Sequence, residues 1–222
     1  MTFLISSFLW FFYSYIFITN PVNDNLEDLA WTIYKDFISE IPNDQTESIY
    51  NVLNIVNGAP FASDLFNTEG VGYPLVRIRD LSKCDPDVFT NEKLSRMEYV
   101  NPGDILIGMD GEFVPHIWFG HVGVLNQRVC KVTPVEKFIH PMFLYLTLKP
   151  ILSEIQRTQG GTTVIHIGKK DFDKMECICL LPEQHSVLGK KFSPIYDLYI
   201  ANAQETFALS EMLDVLLSKL SR

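Results

Sequence analysis

Two periods of hydrophobic and polar positions share this chain. Asp104-Ile105-Leu106-Ile107 is a β-rich apolar run punctuated by Gly108 and Gly111, which predicts a strand and a turn. Leu125 to Val132 predicts a further strand, with the polar cluster Asn126-Gln127-Arg128 following a strand end. Tyr73 to Leu81 alternates, with Leu75, Arg77 and Arg79 on one face and Val76 and Ile78 on the other, as in a half-buried strand. Leu144, Leu148, Leu152 and Ile155 recur at helical spacing. Gly160 to Lys174 reads as a turn, a β-branched run from Thr162 to Ile167 and a cationic loop. Towards the N-terminus, Leu26, Leu29, Ile33 and Phe37 stripe an amphipathic helix over Asn25 to Ile38, capped by Asp24 or Asn25, and a polar linker runs from Ile41 to Glu47.

At the other end, Ser193-Pro194 reads as a helix start, with serine as N-cap and proline in the first position. Ile195, Tyr199, Asn202, Thr206, Leu209, Leu213, Leu216 and Leu220 then follow heptad spacing, the two polar members setting register. The pattern predicts an α+β fold. One globular body at residues 48–182, with mixed or antiparallel strands, is flanked by an N-terminal segment and helix at 1–47 and a coiled-coil helix at 183–222.

The segment Phe3 to Ile18 is almost wholly apolar. It lacks flanking Lys or Arg and is shorter than the ~20 residues that cross a bilayer. A membrane anchor and a core-packing segment or remnant of an upstream domain both remain open. Hydrophobic residues make up 47% of the 222, so the chain can bury a core. Cys84, Cys130, Cys177 and Cys179 form no CxxC pair and read as free thiols of a reduced, cytoplasmic protein. A net charge of −9 argues against a free-standing DNA binder unless positive charge is local or supplied by partners.

Candidate chemistry falls into four groups. Arg77 and Arg79 suit phosphate or guanine edges, or a structural pair with Asp80. Asn126, Gln127 and Arg128 have the donors that read adenine and guanine, or else satisfy loop backbone. Thr162, Thr163, His166, Lys169 and Lys170 suit phosphates, or a solvated surface. Asp104, Asp110, Glu112 and His116 suit a metal-dependent hydrolase, or carboxylates capping a turn. No Walker loop, GxGxxG turn or nucleophile elbow occurs.

Taken in order, several pieces resemble the target recognition domain of type I restriction–modification specificity subunits. They are Gly103-Asp104-Ile105-Leu106-Ile107, Asp110-Gly111, Asn126-Gln127-Arg128-Val129, Gly161-Thr162-Thr163, Lys169-Lys170-Asp171 and Leu181-Pro182-Glu183-Gln184. The resemblance covers roughly Ser48 to Arg222 and implies a non-catalytic DNA specificity subunit. It departs from the family's two recognition domains in having one, as a half subunit would. It further implies double-stranded DNA, methyltransferase subunits, restriction subunits and a second half subunit or self-dimer as partners. No cofactor is implied for this chain; S-adenosylmethionine, ATP or magnesium would belong to partners. The helix interface implied is Ile195, Tyr199, Asn202, Leu209, Leu213, Leu216 and Leu220. A membrane-anchored binding module and the metal-dependent hydrolase are the rival expectations.

Overall fold

The apolar N-terminal segment and the amphipathic helix after it form one element. In the computed structural model, which describes residues 2–42, 44–159 and 165–220, helix α1 spans Thr2–Ser39 and passes through Pro21. Proline inside a helix forfeits one backbone hydrogen bond. Packing along α4 (Pro182–Leu220) accompanies that loss. Asn23 donates to the Tyr199 carbonyl at 3.2 Å, Thr206 donates to Thr19 at 2.7 Å, and the Lys191 ammonium lies over the Phe37 ring. Rising numbers on one helix meet falling numbers on the other, so α1 and α4 run antiparallel.

Helix α4 does not start at Ser193-Pro194. It starts twelve residues earlier, where Pro182 takes the first helical position and Gln184 accepts the Leu181 N–H at 2.8 Å. Pro182 and Gln184 form the stronger start signal, being proline at N1 and half of a capping box. Pro194 therefore lies inside the helix.

Between the helices lie three sheets. Strands β1 (Thr46–Ser48) and β11 (Glu176–Ile178) pair antiparallel, so the end of the polar linker enters a strand. A four-stranded antiparallel sheet has the order β2 (Leu53–Asn57), β10 (Val129–Pro134), β7 (Ile105–Gly108), β8 (Pro115–Ile117). A five-stranded sheet has the order β3 (Phe66–Asn67), β5 (Phe89–Thr90), β4 (Tyr73–Val76), β9 (Gly123–Leu125), β6 (Tyr99–Val100). Only β4 and β9 pair parallel among the described strands.

The alternation of β7 joins these layers. Ile105 and Ile107 enter the main core, while Leu106 on the opposite face meets Val76, Trp118 and Leu125 in a second cluster. Helix α2 (Pro141–Gln159) is buried on all sides from Met142 to Leu148. Its Phe143, Leu144 and Leu148 sit in the main core with Ala30 and Tyr34 of α1 and Phe192 and Ile195 of α4. Each such side chain contributes roughly 1.5–3 kcal/mol on burial. The buried Thr147 hydroxyl is hydrogen-bonded to the Tyr34 hydroxyl at 3.1 Å.

Two local readings change. The strand expected through Leu81 ends at Val76, and Ile78–Asp80 is a 3-10 turn. Asp80 causes the break by accepting the Arg77 N–H at 2.9 Å, which takes that donor from any ladder. The cationic pair opens the short helix α3 (Lys169–Phe172) instead of lying in a loop, because Asp171 accepts the Gly168 N–H at 2.9 Å.

Candidate functional site

Three separate chain segments converge on one open cleft of about 450 Å³, lined by Arg77, Ile78, Arg79, Asp110, Asn126, Gln127 and Arg128. The turn at 126–128 is held from several sides. Asn126 N–H donates to Val76, Gln127 N–H to Ala59, and Met109 N–H to Arg128, at 3.0, 2.9 and 2.8 Å. Gly58 permits this close approach, since a Cβ there would lie 2.0 Å from the Asn126 carbonyl oxygen. The turn ends with Arg128 in the left-handed region at φ 70°, a conformation that is unusual for arginine.

The expected contact residues divide by what already occupies them. Arg77 is only 17% exposed; its guanidinium forks onto Asp80 at 3.0 and 3.2 Å and also binds Asp87. Burial opposes its charge, but the bonds to both carboxylates outweigh this and raise its pKa further. It lines the cleft as a strut. Arg79 is exposed and forms no ion pair among the described residues. The Asn126 carboxamide oxygen accepts the Gln127 N–H at 2.9 Å, leaving the Gln127 side chain outward and exposed.

Arg128 is 57% exposed and points into the cleft beside Asp110, with its Nη1 3.7 Å from Oδ1. His166 Nδ1 lies 2.6 Å from the same carboxylate oxygen and 3.3 Å from the Arg128 Nη1. His166 comes close because its backbone pairs with Asp110 as an isolated antiparallel bridge. Lys169 and Lys170 follow three and four residues later, exposed at the start of α3. Thr162 and Thr163 lie outside the described residues.

Asp110, expected as a metal ligand or a backbone cap, faces the side chains of His166 and Arg128 among the described residues. Its role beside Arg128 has no local signature, since the contact with His166 spans 56 positions. Asp104, grouped with it in the sequence, accepts the Asn101 N–H at 2.7 Å and faces the Lys131 ammonium at 3.5 Å. Burial, opposed by the Glu112 carboxylate, lowers the pKa of His116. Among the described residues no three metal-ligating side chains gather, and no helix is long and apolar enough to cross a membrane.

Along α4, Ile195 and Leu213 are buried, Tyr199, Asn202 and Leu209 are half-buried, and Leu216 is exposed. The side chain of Leu220 lies outside the description.

Residues 43–187 match the family model described as the type I restriction modification DNA specificity domain. The EcoBI specificity subunit of Escherichia coli is 32% identical over 173 residues, 78% of this chain and 35% of that protein. The MjaVIII specificity subunit of Methanocaldococcus jannaschii is 26% identical over 117 residues, 53% of this chain and 24% of that protein. The chain thus spans about a third or less of the curated relatives' length. In fold it is similar to the S subunit of a type I restriction-modification system from M. genitalium, with a TM-score of 0.57 at 17% identity over 98% of this chain and 57% of that one. It is also similar to the HsdS subunit from Thermoanaerobacter tengcongensis, with a TM-score of 0.52 at 16% identity over 97% of this chain and 55% of that one.

Proposed function

Since the chain belongs to the family of type I restriction–modification DNA specificity domains, we propose that it reads one half of a bipartite site in double-stranded DNA. The observation that carries this reading is the convergence of Arg79, Gln127 and Arg128 on one open cleft in a chain of net charge −9. Three arginines against one carboxylate line it, Arg79 being without an ion pair among the described residues, and clustered guanidiniums of this kind suit a DNA contact. Arg128 and Gln127 suit base edges, with Asn126 beneath them and Arg77 and Arg79 along the rim. Lys169 and Lys170 suit phosphates, with His166 between the two sets and Thr162 and Thr163 assigned to the same backbone contact.

In this reading residues 48–182 form the recognition domain, between an N-terminal segment at 1–47 and a coiled-coil helix at 183–222. The antiparallel packing of α1 on α4 supports a coiled-coil flank. The helices dock methyltransferase subunits, restriction subunits join that assembly, and a second half subunit or self-dimer supplies the other half-site. Ile195, Tyr199, Asn202, Leu209, Leu213, Leu216 and Leu220 form the proposed helix interface. Ile195 and Leu213 are already covered within the chain, so an outside partner meets Leu216 together with the exposed Met212, Val215 and Leu217. The subunit performs no catalysis; partners bind any S-adenosylmethionine, ATP or magnesium. Its location is cytoplasmic.

The test is a selection of duplexes from a randomised library by the full chain co-purified with its associated subunits. Lys169→Ala and Lys170→Ala should weaken binding to every duplex and each reduce the log–log salt slope by about one. Arg128→Ala should cost about 1–3 kcal/mol on the selected sequence and little on random DNA. No enrichment of any sequence by the assembly would refute the reading.

A further inference from the structure

An exposed arginine makes a poor reader of sequence if left alone. Its long stem is rich in rotamers, and its charge is drawn to any phosphate within reach. The surroundings of Arg128 address both problems. Its backbone is pinned by the Met109 N–H bond to its carbonyl and by the left-handed turn. Its guanidinium stands 3.7 Å from the Asp110 carboxylate.

Asp110 is in turn fixed from another segment. Gly111 N–H donates to the Ile165 carbonyl at 3.0 Å, and Ile167 N–H donates to the Met109 carbonyl at 2.9 Å. Those two bonds bracket the Asp110–His166 bridge and set the imidazole on the carboxylate at 2.6 Å. When Nδ1–H donates to the Asp110 carboxylate, the imidazole has no lone pair at that nitrogen for Arg128, so the guanidinium is oriented by the carboxylate.

We propose that Asp110, held by His166, is a positioning residue that aims the Arg128 guanidinium at a base edge and keeps it off the phosphate backbone. The inference rests on the DNA-reading role of this cleft and adds a specificity determinant that touches no base. A carboxylate beside the guanidinium offsets its charge and repels a neighbouring phosphate, while the outer donors of the fork remain free for an acceptor pair such as that on guanine.

The experiment uses the full chain in its co-purified assembly. The probes are the duplex enriched from the library, its single base-pair variants and a random-sequence duplex, each titrated across salt concentrations. Arg128→Ala identifies the base pair that Arg128 reads. Asp110→Asn should lower discrimination at that same base pair by about two- to fivefold, the range of an exposed ion pair. It should also steepen the salt slope by about one as the released guanidinium finds a phosphate. A purely structural role would weaken all duplexes alike and leave the slope unchanged. His166→Ala should shift both readouts in the same direction, and it carries the test if Asp110→Asn fails to fold. In the Arg128→Ala background neither change should matter further. If Arg128→Ala abolishes discrimination at one base pair while Asp110→Asn and His166→Ala leave it and the salt slope intact, the positioning role is wrong and the base-reading role stands. Equal losses on selected and random DNA for Arg128→Ala would end both.

Discussion

Two arginines of identical chemistry, two positions apart, end in different states. Arg77 is held by Asp80 and Asp87, whereas Arg79 extends to solvent. Alternation placed both on one face, but the 3-10 turn at Ile78–Asp80 removes that equivalence. Histidine shows a similar sorting. His185 is 3% exposed, packs edge-on against Phe143 at 4.8 Å, and its Nδ1 has no hydrogen-bonding partner among the described residues. Burial lowers its pKa, against the weaker pull of Glu47, and burial likewise lowers those of His140 and His116. The unfolded chain takes up protons near pH ~6.5 that the folded chain refuses. Stability is therefore intact above that pH and falls as pH drops below it. His185→Phe keeps a ring against Phe143 and should remove up to about 1.4 kcal/mol per pH unit of that loss. Urea titrations of parent and variant between neutral pH and pH ~5 check this; parallel losses would show that His185 is not responsible.

At the scale of elements, the two terminal helices were legible as helices and not as continuous ones. Proline is a strong local stop signal. Pro21 and Pro194 nevertheless lie inside α1 and α4, where packing of one helix along the other accompanies the lost bonds. The heptad on α4 was read as facing a separate partner along its whole length. Leu213, 6% exposed, is buried within the single chain, while Leu216 is 38% exposed. These two positions now separate what one seam joined. Leu213→Asp should destabilise the isolated chain by about 2–5 kcal/mol, as core truncations do, because it strands a charge in a packed site. Leu216→Asp should leave the chain's melting midpoint within about 1 °C, equivalent to a surface change, yet weaken recovery of co-purifying subunits. Thermal melts and size measurements of the assembly test the pair. A folded chain that keeps all its partners in the Leu216→Asp variant would remove this stripe from the interface.

Over the whole molecule, one core spans both helical flanks and the four-stranded sheet, so the body and the start of α4 should unfold together. Thiols report on this. Cys84, Cys130 and Cys177 are buried, and burial pushes each up to about 12; burial and Glu47 also raise Cys179, but it is only half-buried and within reach of a reagent. A thiol reagent at neutral pH should label Cys179 quickly and the other three only at the rate of global opening. Fast labelling of Cys84 alone would show that the smaller cluster around Trp118 opens independently. The sequence by itself determined a strand over 104–107, a helix through Leu144, Leu148, Leu152 and Ile155, the cationic positions and the family resemblance. Those properties lie in local periodicity and short ordered motifs, which each segment carries wherever it is placed. Only the tertiary structure decided that Arg77 meets both Asp80 and Asp87, that Asp110 stands beside Arg128, and that α1 packs along α4. The Arg128–His166 and Asn23–Tyr199 contacts join residues 38 and 176 positions apart, and such pairings arise from how finished elements pack and leave no periodic trace along the chain.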